Sequence, residues 1–132
     1  MGRLGDVPST PLTGRRDAYR PPDPALEPGE RLIGKGRMAW WKPVLGSACE
    51  QWRGWLYVTD RRVFFLLFPG CVEMDLRLEE VGGFSRKRHL GLFTMVTIHS
   101  RAGGRWAFTG FPAKRLPGWL REAGIPGDDM TD

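Results

Sequence analysis

Gly54-Trp55-Leu56-Tyr57-Val58-Thr59-Asp60-Arg61-Arg62-Val63-Phe64-Phe65 is the run that decides the fold. Two apolar stretches flank a short polar one, the pattern of a β-hairpin. Leu56 and Val58 point to one side, Thr59-Asp60 makes the tight turn with local side-chain hydrogen bonds, and Val63 and Phe65 return to the same core. Outward from this hairpin, short apolar runs recur between turn signals, as in an all-β domain. Seven strands are predicted: Arg31 to Trp41, Trp52 to Thr59, Val63 to Phe68, Cys71 to Arg77, Gly83 to Arg88, Leu92 to His99, and Arg105 to Thr109. Turns fall at Asp60-Arg61, Pro69-Gly70, His89 to Gly91 and Ala102 to Gly104.

Period-two alternation assigns faces. Val63, Phe65 and Leu67 share one, as do Val72, Met74 and Leu76, with Glu73, Asp75 and Arg77 on the other. In the sixth run both faces are apolar, so that strand is covered on both sides or lines a contact surface. The last periodic piece, Leu116 to Ala123, predicts a short helix with Leu116, Trp119, Leu120 and Ala123 on one stripe, stopped by Gly124.

Before Glu30 the chain changes character. Six of its eleven prolines lie between Met1 and Pro28, with few large apolar residues, so residues 1–29 are predicted to be a flexible Pro-rich tail. One domain is expected over residues 30–124, followed by a short acidic tail, 125–132.

The hairpin string closely resembles the strand-turn-strand signature of GRAM and bacterial pleckstrin-homology-like domains. The succession of apolar strand, Gly-rich turn, aromatic strand and closing helix extends that resemblance from about Glu30 to Gly124. It implies a mainly β, seven-stranded bent sheet or barrel of the pleckstrin-homology-like kind, with one C-terminal helix plugging an open end through Trp119 and Leu120.

Composition narrows the function. The chain has 132 residues, twenty Lys+Arg against fifteen Asp+Glu, and a net charge of +5. Between Glu30 and Gly124 there are sixteen basic and eight acidic residues, which favours anionic partners. Cys49 and Cys71 are too few for a disulfide scaffold or a four-cysteine zinc site, so free thiols and no metal or cofactor are expected. The two histidines, His89 and His99, form no Ser-His-Asp or Cys-His pattern, neighbouring Glu79 and Glu80 diverge, and the Gly82-Gly83 and Gly103-Gly104 pairs lack a phosphate-loop lysine. A binding module rather than an enzyme is expected. No leader or apolar run of spanning length is written in the chain, which predicts a cytoplasmic protein, peripheral at the inner face of a membrane. Arg53-Gly54-Trp55-Leu56-Tyr57 has the interleaving of a base-stacking platform, but without any RNA-recognition string, so nucleic acid is not the expected partner.

By resemblance, the anionic ligand sits at the open end between the first two strands, at Lys42, Arg53, Arg101 and Arg105. Trp55 stands where well-studied pleckstrin-homology domains carry a last basic residue, so the resemblance stops short of stereospecific inositol-phosphate recognition. Trp41, Val44 and Leu45 combine an interfacial aromatic with aliphatics suited to shallow insertion or to a partner. A second basic patch is expected at the opposite end from Arg61, Arg62, Arg86, Lys87 and Arg88. An anionic membrane surface and an acidic protein surface both fit, as does a protein-interaction adaptor with no lipid role.

Overall fold

A computed structural model of the chain describes residues 23–44, 49–67, 71–89 and 93–129. All seven runs form strands: β1 (Leu32–Pro43), β2 (Cys49–Thr59), β3 (Arg62–Leu67), β4 (Cys71–Arg77), β5 (Val81–His89), β6 (Phe93–Ser100) and β7 (Arg105–Thr109). A 3₁₀ turn, Phe111–Lys114, leads into helix α1 (Leu116–Glu122), and a three-residue strand β8 (Gly127–Asp129) follows. The sheet order is β4-β3-β2-β1-β7-β6-β5-β8. Every pairing is antiparallel except β5 with β8.

The hairpin string does what its residues dictate. The Thr59 hydroxyl oxygen accepts from the amides of Arg61 and Arg62 at 3.1 and 3.0 Å, closing the turn locally. The Asp60 carboxylate accepts from the Arg31 amide at 2.9 Å, and the Asp60 amide donates to the Arg31 carbonyl at 3.0 Å, which locks the start of β1 beside the turn. Leu56, Val58, Val63 and Phe65 are fully buried in one core. Phe65 of β3 meets Phe108 of β7 with ring centroids 5.0 Å apart, although three ladders separate the strands. The sheet must therefore curl on itself. β1 and β7 join along a short seam of two register pairs, Ala39 with Thr109 and Trp40 with Phe108.

The helix closes the curl. Leu116 and Leu120 are fully buried, and Trp119 packs half-buried against the same core. A Cβ at Gly34 would lie 2.1 Å from the Trp119 ring and one at Gly36 would lie 2.7 Å from Pro112, so β1 needs glycine where the plug touches it. Beyond Glu122 the amide of Gly124 donates to Arg121 and that of Ile125 to Leu120, with Gly124 at φ +90°. This double capping turn delivers Ile125 into the core.

Three sequence expectations change here. The domain does not end at Gly124: Ile125 is buried and Gly127–Asp129 extend the sheet along β5. Val72 does not share the core face of Met74. An irregularity between Phe65 and Leu66 sets Leu66 opposite Val72 while Phe65 faces Met74, and the extra residue Glu73 turns Val72 out to 63% exposure. The expected tail is fastened from Asp23 onward, through Lys35 to Asp23 at 3.1 Å and Arg77 to both Glu27 oxygens. Its residues 1–22 lie outside the described residues. A second apolar cluster, Trp55, Tyr57 and Phe64, covers the other face of β2 and β3. The uninterrupted run Trp55 to Val58 is thus buried on both sides, as such runs are. Burial, with the charge of Asp23 behind it, pushes the Tyr57 hydroxyl up to about 12.

Candidate functional site

The cations divide into two groups, and the division starts at the β2–β3 turn. The Glu30 side chain is wholly buried and accepts from Thr59 Oγ1 at 2.6 Å, Arg62 Nε at 2.9 Å and the Glu27 amide at 2.8 Å. Burial opposes ionisation of this carboxylate, but the bonds from Arg62, Thr59 and the Glu27 amide, with the Arg62 charge, outweigh it and hold the group at about 2. Arg62 also lies 3.5 Å from Asp75 and 4.5 Å from the centre of the Phe64 ring. Arg61 pairs with Glu27 at 3.5 Å. Arg77, hydrogen-bonded to Glu27 and under its charge, is raised above the ordinary arginine value, and Glu27 is lowered by the same partner. Arg61 and Arg62 are therefore neutralised parts of the fold, not half of a basic patch. Arg86, Lys87 and Arg88 lie elsewhere, on β5 opposite Val96, Met95 and Thr94.

The four residues expected to share a ligand are not brought together. Lys42 and Arg53 occupy opposite faces of the β1–β2 hairpin, because Lys42 alternates in step with buried Met38 and Trp40 while Arg53 alternates with Trp55 and Tyr57. The Lys42 ammonium lies 5.2 Å from the centre of the Trp52 ring. Arg101 donates to the Glu79 carbonyl at 2.8 Å, beside the β4–β5 connection. Arg105 is exposed at the start of β7, opposite His99. Val44 is exposed, whereas Trp41 is half-buried and donates its indole N–H to Thr109 Oγ1 at 2.7 Å. Leu45 lies outside the described residues, as do Pro69-Gly70 and Leu90-Gly91 of the expected turns.

Arg53 joins a different set. Around it runs a groove of about 470 Å³ lined by Arg37, Ala39, Gln51, Arg53, Thr109, Gly110 and Pro112. A second, of about 500 Å³, shares Gln51, Thr109 and Gly110 and adds Trp41, Phe93, Thr94 and Lys114. The register explains the grouping: Arg53 sits opposite Ala39 and Gln51 opposite Trp41, so the outward side chains of β1 and β2 form one surface. Arg37, opposite Trp55, is the diagonal neighbour of Arg53 on that surface. The β1–β7 seam brings Thr109 against Ala39. Gly110, at φ +141°, then turns the chain across β1 and places Lys114 at the far wall. No acidic side chain lines either groove. Arg53 and Lys114 have no ion pair among the described residues. Sequence reasoning missed Arg37, Gln51, Thr109 and Lys114. The alternation of Arg37, Ala39 and Trp41 against Met38 and Trp40 carried part of that signal.

Among the described residues no group of three or more His, Cys, Asp or Glu side chains is placed to hold a metal, and no helix is long and apolar enough to cross a membrane.

Neither a protein-family model nor a curated protein matches the sequence. Solved structures match its shape. The C-terminal domain of an unknown protein from Leishmania infantum aligns over 73% of this chain and 85% of its own, at 19% identity and TM-score 0.57. The hSac2 domain from human phosphoinositide phosphatase Sac2 aligns over 94% and 87%, at 12% identity and TM-score 0.55. A chain of the Spt16D Pob3N heterodimer aligns over 62% of this chain and 48% of its own, at 17% identity and TM-score 0.51. With these neighbours the curled sheet and its closing helix are a pleckstrin-homology-like fold.

Proposed function

We propose that the protein is a non-catalytic peripheral binding module, close to the GRAM type, that docks on anionic membrane surfaces through the outward face of its β1–β2 hairpin. The distribution of charge carries this reading. Glu27, Glu30 and Asp75 neutralise Arg61, Arg62 and Arg77 at the β2–β3 turn, whereas the groove face holds cations and donors with no acidic lining residue. Arg53 and Lys114, exposed and with no ion pair among the described residues, thus face outward there. Phe93, 36% exposed, lines the second groove, and Val44, 37% exposed, follows the end of β1. Cations flanked by aromatic and aliphatic side chains suit a headgroup boundary.

The magnitudes require both parts. Each cation near an anionic bilayer contributes about 1 kcal/mol, so Arg53 and Lys114 on the groove face together reach roughly 2 kcal/mol, weaker than a millimolar attraction. Apolar insertion adds about 25 cal/mol for each Å² withdrawn from water. Flotation with phosphatidylcholine vesicles, with and without phosphatidylserine, tests the proposal. Wild type should float only with the anionic vesicles, and Val44→Asp with Phe93→Asp should weaken that flotation. Equal recovery with neutral vesicles, or none with either, refutes it.

A further inference from the structure

We infer that the outward aromatic face of β2 and β3 is a docking surface for an extended proline-rich segment, and that its occupant is this chain's own residues 1–22. The inference goes beyond membrane docking and does not depend on it. At the centre of the face Tyr57 stacks on Phe64 with ring centroids 4.9 Å apart, and Trp55 stands one outward position along β2. Leu32 and Leu66 pack against these rings, and Val72, opposite Leu66, carries the apolar patch to the edge strand. Trp55, Tyr57 and Phe64 are 8%, 0% and 5% exposed, yet α1 and the 3₁₀ turn pack against β1, β5, β6 and β7. A cluster buried on the side away from the core is buried by something laid over it.

The described residues show where that cover comes from. Glu30 is held at Thr59, the Ala25 carbonyl accepts from Arg62 at 3.0 Å, and Asp23 pairs with Lys35, which the register sets opposite Tyr57. Followed back from Glu30, the chain advances from the level of Thr59 to that of Tyr57, and the next outward level of β2 holds Trp55. Pro21 and Pro22 stand directly ahead of Asp23, with Tyr19, Leu12, Pro11 and Pro8 before them. Such a chain suits an aromatic face because its extended polyproline form is set before binding. The outward row from Tyr57 to Arg53 is roughly 14 Å long at strand rise. About five residues at 3.1 Å each span it, well within the reach of residues 1–22. Charge agrees with this occupant. β4 borders the face with Glu73 and Asp75, Glu73 exposed and without an ion pair among the described residues, and the segment brings Arg15, Arg16 and Arg20.

The test uses the full chain. Trypsin cuts after Arg15 and Arg16, and where docking exchanges fast its rate follows the fraction of time the segment is undocked. Cleavage at these two bonds should be at least roughly tenfold slower in the protein than in a synthetic peptide of residues 1–22, the protection given by a ten-to-one docking equilibrium. Leu32→Ser and Leu66→Ser, both partly buried against this cluster and not part of the main core, should each bring the rate back toward that of the peptide, with thermal melts showing that the variant is folded. In nitrogen-15 spectra, Leu12→Ser with Tyr19→Ser should shift the Trp55 indole N–H and leave the Trp106 indole in place. Equal cleavage in protein and peptide, with a Trp55 indole signal that ignores the segment variant, overturns the inference. A Trp55 signal that moves on dilution and not with the segment variant assigns the cover to a second copy and overturns it equally.

Discussion

Replacing Glu30 by Ala should destabilise the domain more than any exposed charge change, and the geometry sets the size. The carboxylate is fully buried and receives Arg62, Thr59 and the Glu27 amide. Arg62, only 14% exposed, would keep Asp75 at 3.5 Å and the Ala25 carbonyl at 3.0 Å but lose its main counter-charge. Breaking a buried ion pair from one side costs about 3 kcal/mol, taking the lower end because Asp75 remains. In a domain of roughly 100 residues that is a fall in Tm of about 12–24 °C. The pH dependence gives a second handle. The Glu30 carboxyl is depressed to about 2 from the ordinary 4.5, so its contribution is fully present above pH 4.5 and is lost as pH falls through 2. Thermal melts of wild type, Glu30→Ala and Glu30→Gln from pH 7 to pH 2.5 should show gaps that are wide at pH 7 and narrow steadily below 4.5. A negligible gap at pH 7, or one that stays constant to pH 2.5, refutes the clasp.

Gly34→Ala forces a Cβ to 2.1 Å from the Trp119 ring and should cost about 1–3 kcal/mol by overpacking, read by urea denaturation; a neutral result means the helix does not press on β1. Met74→Ala should cost about 2–5 kcal/mol while Val72→Thr stays within about 0.5 kcal/mol, because the extra residue in β4 turns only Val72 outward. Similar losses for the two changes contradict that register. Deleting residues 1–28 should leave a cooperative β-rich domain by circular dichroism but lower its melting point modestly, since Glu27 and Asp23 go with it. An unchanged midpoint shows that those ion pairs contribute nothing.

What the sequence made legible is what depends on local chemistry. Thr59-Asp60 specifies its own turn, alternation names the core residues of β3, and Gly124 after an apolar stripe stops the helix. What stayed hidden depends on pairing between distant segments. β8 has no periodicity to read, because Gly127–Asp129 are only three residues, paired along β5 after Ile125 has been pulled into the core. Val72 moved because an extra residue in a strand leaves no mark in an alternating pattern. Glu30 read only as the point where the tail gives way to the domain, since its structural role comes from its encounter with Arg62, thirty-two positions on. The candidate site divided for the same reason. Lys42 and Arg53 are close in the chain, but the hairpin register puts them on opposite faces, and the groove is completed from Thr109 and Lys114, more than fifty positions away.

The most direct test of the central claim is the affinity for phosphatidylserine-containing vesicles as a function of ionic strength, measured for three proteins: wild type, Arg53→Glu with Lys114→Glu, and Arg86→Glu with Lys87→Glu and Arg88→Glu. Screening weakens attraction between exposed charges as salt rises. Wild-type binding should fall steeply with salt. The groove double variant should bind at least roughly thirtyfold more weakly, from the loss of two cations worth about 1 kcal/mol each. The β5 triple variant should lie nearer wild type. Binding that survives the double change but vanishes with the triple change would contradict the account and move the docking face to β5.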